Sequence, residues 1–346
     1  MSQKRVLVTG GAGFIGSHVA ELFRDEGYRV WIVDDLSSGK RENVPEGATF
    51  VHADIRSDAV AGVFRDAGGF DVVSHHAAQI DVRIAVSDPR RDASLNIDGF
   101  LNVAECARAF GCGRFVFVSS GGVVYGEPEL RPTPESAQKL PRSPYGVTKL
   151  AAEQYLYYYR EVHGMEYAAL RYANVYGPRQ DPHGEAGVVA IFCNRLRDGE
   201  PVTVFGDGEQ TRDYVFVRDC ARANLLVGSV AYAEILSGTG SGSGSGTGFD
   251  NGSGTGPGAG PFTLNGLDRC AFNVGTGSET SVTQLAHRLM SVSGRTVEVQ
   301  HAAARAGEVM HSCISPLRLE GLGWTPSVSL DEGLEATYRH IAGETN

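Results

Sequence analysis

Tyr145 and Lys149 lie four residues apart in SPYGVTK, a spacing that puts both side chains on one face of a helix. An ammonium beside a phenol favours the phenolate and draws the tyrosine down from about 10 toward working pH. That is a general base for a sugar or alcohol hydroxyl. A second polar cluster follows the apolar run RFVFV, where VSSGGVVYG places Ser119, Ser120, Gly121 and Gly122 in succession. Taken alone, it is a turn, a phosphate cradle or part of a reacting site. A third stretch, VLVTGGAGFIGSHVAELF, sets Gly10, Gly13 and Gly16 between a strand-like and a helix-like run. Glycine there allows a tight turn, close backbone approach to a pyrophosphate and close helix packing, with helix N–H groups aimed at the phosphates.

These residues need a frame to hold them. Val/Ile/Phe-rich runs (RVLVT, RVWIVDD, TFVHAD, FDVVSHHAA, RFVFVSS) alternate with helix-like runs (FIGSHVAELFRDEG, VAGVFRDAG, SLNIDGFLNVAECARAF). Strands joined by helices of this length are parallel and buried on both faces. The expected fold is α/β, a doubly wound parallel (Rossmann) sheet, continued by the helix SPYGVTKLAAEQYLYYYREVHG and one further strand, EYAALRYANVYG. Residues 1–178 form the expected NAD-binding domain, with elements returning from later segments, and 179–346 a smaller substrate-binding lobe. Ser237 to Gly260 has 11 glycines in 24 residues and reads as a flexible insertion. Asp34 closes the second strand, placed to accept both adenosine ribose hydroxyls and to repel a 2′-phosphate, so NAD is favoured over NADP. Lys40 and Arg41 either soften that preference or sit on a solvated loop. Asp54, after the third strand, either receives the adenine amino group or caps a helix.

The 346 residues carry a formal charge of −10, which repels phosphate backbones and anionic membranes, so neither nucleic acid nor membrane is an expected partner. The N-terminal run lacks a signal peptide's apolar core, and the expected location is the cytoplasm. Six cysteines show no metal spacing and read as small buried hydrophobes; no metal is expected.

TGGAGFIGSHV, DDLSSG, HADIR, HHAAQ, SSGGVVYG, SPYGVTK, RYANVYGPRQ, GDGEQTRDYVFVRD, FNVGTG and RAGE occur in this order between about Arg5 and Leu334. In this the chain resembles the extended short-chain dehydrogenases/reductases, and among them the nucleotide-sugar 4-epimerases of the UDP-glucose 4-epimerase type. The resemblance implies a serine beside the tyrosine that bonds the sugar 4-hydroxyl. Counting from the strand gives Ser120, counting back from Tyr125 gives Gly121, which has no hydroxyl; Ser120 is preferred, with Ser119 the alternative. It assigns to the cofactor Phe14, Ile15, Asp35, Ser37, Ser38, Gly39, Ile55, Ala77, Ala78, Gln79, Asn96 and Tyr172, beside Tyr145 and Lys149. To the UDP-sugar it assigns Asn174, Val188, Thr203, Val204 and Phe205, with Arg212 and Arg305 on the diphosphate and Glu308 on the ribose. The expected assembly is a homodimer.

The implied reaction is inversion of carbon 4 through a transient 4-keto sugar, with NAD regenerated each turnover. A 4,6-dehydratase or decarboxylase of the same superfamily is the near rival, but a dehydratase needs carboxylates where Gly121 and Gly122 follow Ser120. A non-catalytic NAD-binding regulator would be expected to lack Tyr145 and Lys149. UDP-glucose/UDP-galactose and UDP-glucuronate/UDP-galacturonate both stand as substrate pairs. Arg179 and Arg195 are placed in the sugar-facing lobe, where each either binds a uronate carboxylate or faces water.

Overall fold

The computed structural model describes residues 3–182, 187–238, 264, 266–304 and 309–344. Seven parallel strands form the central sheet: β1 (Arg5–Thr9), β2 (Arg29–Asp34), β3 (Thr49–His52), β4 (Val72–His75), β5 (Arg114–Ser120), β6 (Tyr167–Tyr172) and, from far along the chain, β11 (Ala271–Val274). They lie in the order β11-β6-β5-β4-β1-β2-β3. Apart from β3 the strands are almost wholly buried, as a doubly wound sheet covered on both faces requires. The expected α/β architecture is the observed one.

Helices α1 (Phe14–Asp25), α2 (Ala59–Ala67), α3 (Val82–Ser87), α4 (Pro89–Ala93), α5 (Gly99–Ala109), α6 (Gly121–Val124) and α7 (Pro144–His163) connect the strands. The run read as one helix from Ser94 onward contains a π-helical turn, Ser94–Asp98, between α4 and α5. A π turn holds one residue more than an α turn, and here it carries the buried Asn96. Helix α7 has a strong start: the Ser143 hydroxyl accepts from Gly146 N at 3.1 Å and Pro144 fills the first turn, where its missing N–H costs nothing.

One strand expectation is corrected. EYAALRYANVYG does not stay in the main sheet: after β6 ends at Tyr172, β7 (Asn174–Tyr176) pairs in parallel with β10 (Tyr214–Phe216). Ala173 N still reaches Val274 O in β11, whereas Asn174 N turns to Asp213 O, each at 2.9 Å. The chain therefore leaves the sheet at one residue and enters the lobe.

The lobe is built on α8 (Val188–Asp198), β8 (Val202–Phe205), β9 (Thr211–Arg212), β12 (Thr280–Ser281), α11 (Val282–Ser293), β13 (Val299–Ala302), β14 (His311–Ser312) and α13 (Leu330–Ala342), while α9 (Val217–Ser229), α10 (Tyr232–Ser237) and α12 (Leu317–Gly321) send side chains into the main core. Its own core gathers Phe192, Val202, Val204, Phe216, Leu285, Leu289, Leu334 and Tyr338. Helix α9 packs back on α1 and belongs with the main core. All six cysteines are free and only Cys112 is not fully buried. Among the described residues no helix is long and apolar enough to cross a membrane and no group of His, Cys, Asp and Glu could hold a metal ion. Residues 239–260 of the glycine-rich insertion lie outside the described residues.

Candidate active site

The turn from β1 into α1 is closed by Gly10 N on Val33 O (2.8 Å) and Gly13 N on Gly10 O (3.1 Å). Gly10 has φ +68°, and a Cβ on it would lie 2.6 Å from Ala77 N, a conformation and an approach that only glycine tolerates. A Cβ on Gly16 would lie 2.2 Å from Gly10 O, so the helix can reach the turn only without one. No side chain caps the α1 N-terminus, which leaves its first N–H groups for an anion. Asp34 ends β2 beside this turn and is buried, 6% exposed. Its Oδ2 accepts from Ala12 N (3.0 Å) and its Oδ1 from Leu36 N (2.8 Å); burial raises the carboxyl pKa while these amides oppose it. Gly39 passes close overhead, with a Cβ there 2.8 Å from Asp34 Oδ1. Asp35 accepts from both Ser37 N and Ser37 Oγ. The glycine cradle and the oriented carboxylate fit a dinucleotide.

The second wall is the loop after β4. Asn96 clamps it: Asn96 Oδ1 accepts from Gln79 N (2.8 Å) and Asn96 Nδ2 donates to Gln79 O (2.9 Å). Gln79 and Asn96 both donate to Asp92 Oδ1, and Thr148 donates to Asp92 Oδ2. Loop, π turn and α7 are thus fastened where Tyr145 and Lys149 sit.

Lys149 is 4% exposed. Its ammonium donates to Val118 O at 2.9 Å and lies 5.7 Å from the Tyr145 ring centroid. Burial lowers its pKa to about 8, with Asp92 and Glu153 acting in the opposite direction. Tyr145 stands in the first turn of α7, partly exposed. That turn is pressed against α6, since a Cβ on Gly146 would lie 2.9 Å from Val123 O. Ser120 occupies the position before α6, and its side chain makes no capping hydrogen bond there. Its hydroxyl and that of Ser312 face one spot, 3.8 and 4.0 Å from where a Gly122 Cβ would be.

Residues 6–233 match the model of the NAD dependent epimerase/dehydratase family. The chain belongs to that family. NAD is therefore its cofactor, and the cradle of Gly10, Gly13, Gly16 and Asp34 fits it. A UDP-glucose 4-epimerase of Mycolicibacterium smegmatis is 40% identical over 99% of both chains. A Thermus thermophilus UDP-glucose 4-epimerase, solved in complex with NAD, has TM-score 0.84 and 39% identity over 99% of this chain and 100% of that one. A Thermotoga maritima UDP-glucose 4-epimerase, solved with UDP-glucose, has TM-score 0.84 and 41% identity over 98% and 99%.

Several side chains that the sequence offered to this epimerase/dehydratase site are engaged elsewhere. Ser119 is buried and donates to Glu153 Oε1 at 2.5 Å, because neighbouring strand residues point to opposite faces. Tyr172 is buried, and its phenol oxygen accepts from Asn224; a Tyr172 contact to the cofactor would run through its backbone. Val204 is fully buried in the lobe core, whereas Thr203, on the other face of β8, is exposed. Arg179 turns back on α1, donating to Ser17 Oγ (3.1 Å) and pairing with Glu21 (2.5 Å). Arg195, near the end of α8, pairs with Glu200 in a half-exposed ion pair. Asp54 is paired by Arg56, and Ile55 packs under Gly99, where a Cβ would lie 2.6 Å from Ile55 Cδ1.

Other expected site residues stand at the ends of elements. Ser312 and Arg212 are partners in the parallel pairing of β14 with β9, which joins the strand of Arg212 to the spot that Ser120 faces. Asn174 opens β7 and Val188 opens α8. Phe14 and Ile15 start α1, and Phe205 ends β8. Arg305 and Glu308 lie outside the described residues. Sequence reading missed Asp92, Thr148 and Ser312. Asp92 stands four residues before Asn96, a helical spacing that could have drawn attention to it.

Loss of the Ser120 hydroxyl alone tests the strand-end assignment. Ser120→Ala should lower turnover about 10- to 100-fold, the worth of one hydrogen bond in a reacting site, about 1.5 to 3 kcal/mol. Ser119→Ala should act on stability instead, read by urea denaturation. A turnover loss confined to Ser119→Ala would reverse the two roles.

Proposed function

We propose that this protein interconverts UDP-glucose and UDP-galactose by inverting sugar carbon 4. The observation that carries the reading is the first turn of α7: Tyr145 partly exposed, Lys149 buried one turn on with its ammonium 5.7 Å from the phenol ring centroid, and Ser120 at the start of the adjoining helix with its hydroxyl free of a capping bond. Lys149 stabilises the Tyr145 phenolate, which takes the 4-hydroxyl proton while Ser120 bonds the same oxygen. When bound beside the Gly10, Gly13 and Gly16 turn and Asp34, NAD would supply a reversible hydride acceptor for carbon 4, so none would be consumed. Tyr145 then returns the proton to the sugar oxygen after the sugar has turned its other face. Arg212 on β9 grips the diphosphate and keeps the sugar in the site as it turns.

A neutral hexose is favoured over a uronate because Arg179 and Arg195 already hold Glu21 and Glu200. Dehydration is disfavoured because Gly121 and Gly122, neither of which carries a carboxylate, follow Ser120. Homodimerisation is supported by the exposed apolar face of α7, with Val147, Tyr155, Tyr158 and Val162.

Purified protein given UDP-glucose and UDP-glucuronate separately, with no NAD added, should form UDP-galactose and leave the uronate unchanged. Turnover of the uronate alone, or dependence on added NADPH, would overturn the reading. Asp34→Asn should weaken NAD retention about tenfold, through loss of a charge-assisted ribose contact worth about 1.5 to 3 kcal/mol. The measurement is the fraction of NAD surviving gel filtration.

A further inference from the structure

Asp92 is fully buried in α4. Its Oδ1 accepts from Gln79 Nε2 and Asn96 Nδ2, both at 3.0 Å, and its Oδ2 from Thr148 Oγ1 at 2.9 Å. All three donors are neutral, and among the described residues no cationic side chain pairs with it. Such a carboxylate is costly to bury. Gln79 Nε2 and Asn96 Nδ2 spend their second hydrogens on Asp81 O and Gln79 O, so the carboxylate satisfies these donors, but three neutral donors do not cancel its charge. The negative charge itself is what remains to be accounted for.

Thr148, which donates to Asp92 at 2.9 Å, directly precedes the buried Lys149 on α7, and the lysine ammonium lies in the carboxylate's field. From the end of β4, His75 and His76 also face that ammonium, and burial together with the lysine keeps both neutral. On the lysine's own helix stand Tyr145, one turn before, and Glu153, one turn after. Glu153 is already committed to Arg171 at 2.6 Å. Asp92 is thus the carboxylate near Lys149 whose charge no guanidinium or other ammonium cancels.

We propose that Asp92 is a positioning residue of the reaction: its unpaired carboxylate keeps Lys149 charged beside Tyr145, and its three hydrogen bonds lock the cofactor-side loop to α7. This rests on the Tyr145–Lys149 assignment given above. Removing the negative charge makes the ammonium easier to deprotonate. The alkaline limb of the kcat profile, where Lys149 loses its proton at about pH 8, should therefore move toward lower pH.

The test compares parent, Asp92→Asn and Asp92→Leu for UDP-glucose epimerisation over about pH 6 to 10, with melting temperatures recorded alongside. Both variants should show the limb displaced by about one pH unit and kcat at pH 8 reduced about fivefold, with KM for UDP-glucose within about twofold of the parent. The displacement should be shared, although the leucine variant, unable to accept the hydrogen bonds, should melt lower. An unmoved limb in both, a displacement only in the less stable variant, or failure of both to fold would overturn the role. Tyr145→Phe run in parallel separates the two layers. Survival of activity in it would overturn the Tyr145–Lys149 assignment, whereas an inert Tyr145→Phe with an unmoved limb in Asp92→Asn would overturn the role of Asp92 alone.

Discussion

Tyr145→Phe should lower epimerisation about 10²- to 10⁴-fold, the usual worth of a positioned general acid–base group, while the protein folds and retains NAD. The change removes one oxygen from a partly exposed ring in the first turn of α7. It leaves intact the Ser143 cap, the Lys149 bond to Val118 O and the cradle of Gly10 and Gly16. Folding is read from circular dichroism, retention from absorbance of NAD released on denaturation, and turnover from the UDP-galactose formed. Turnover within about tenfold of the parent would mean that another group takes the proton.

Arg171→Met should destabilise the protein by about 3 to 5 kcal/mol, the cost of removing one partner from a buried ion pair. Arg171 is fully buried. Its guanidinium pairs with Glu153 at 2.6 Å and Asp268 at 2.9 Å, and donates to the Tyr125 phenol at 3.0 Å and Glu135 O at 3.2 Å. Lys139 meets the same Asp268 oxygen at 2.5 Å. Without the guanidinium, Glu153 is left with the Ser119 hydroxyl, a neutral donor that does not cancel its charge beneath the reacting strand end. The double variant Arg171→Met/Glu153→Leu should lose less than the single one, since it leaves no such charge on Glu153. Urea denaturation of the three proteins measures this; a single variant within about 1 kcal/mol of the parent would show the cluster to be relaxed by water or rearrangement.

The parts legible in the sequence were those written in local spacing. RVLVT is β1, RFVFVSS is β5, and the four-residue step from Tyr145 to Lys149 places both on α7. The glycine turn could be read because its strand, its helix and Asp34 are sequence neighbours. What stayed hidden depends on residues that meet only in three dimensions. Arg171, Glu153, Asp268 and Lys139 come from separate segments, and nothing local marks them as one cluster. Arg179 and Arg195 were placed at the sugar by their lobe, yet a charge follows its nearest opposite partner, here Glu21 and Glu200. The break of one apolar run into β6 and β7 was invisible for the same reason: Asn174 leaves the sheet because Asp213, far along the chain, offers its carbonyl to an amide that must be paired.

Strand β11 also sets a timetable. It closes the sheet against β6 with Ala271 beside Ala169, about a hundred residues later in the chain, so a ribosome moving at about 5 to 20 residues per second leaves the β6 edge bare for roughly 5 to 20 s. Until β11 arrives that edge is unpaired on one side, the condition under which nascent chains seek other strands. The glycine-rich stretch Ser237 to Gly260 is translated within this interval and offers no strand-forming run of its own to compete for β6. Yield in the cell should accordingly depend more on chaperone supply than the stability of the finished protein would suggest.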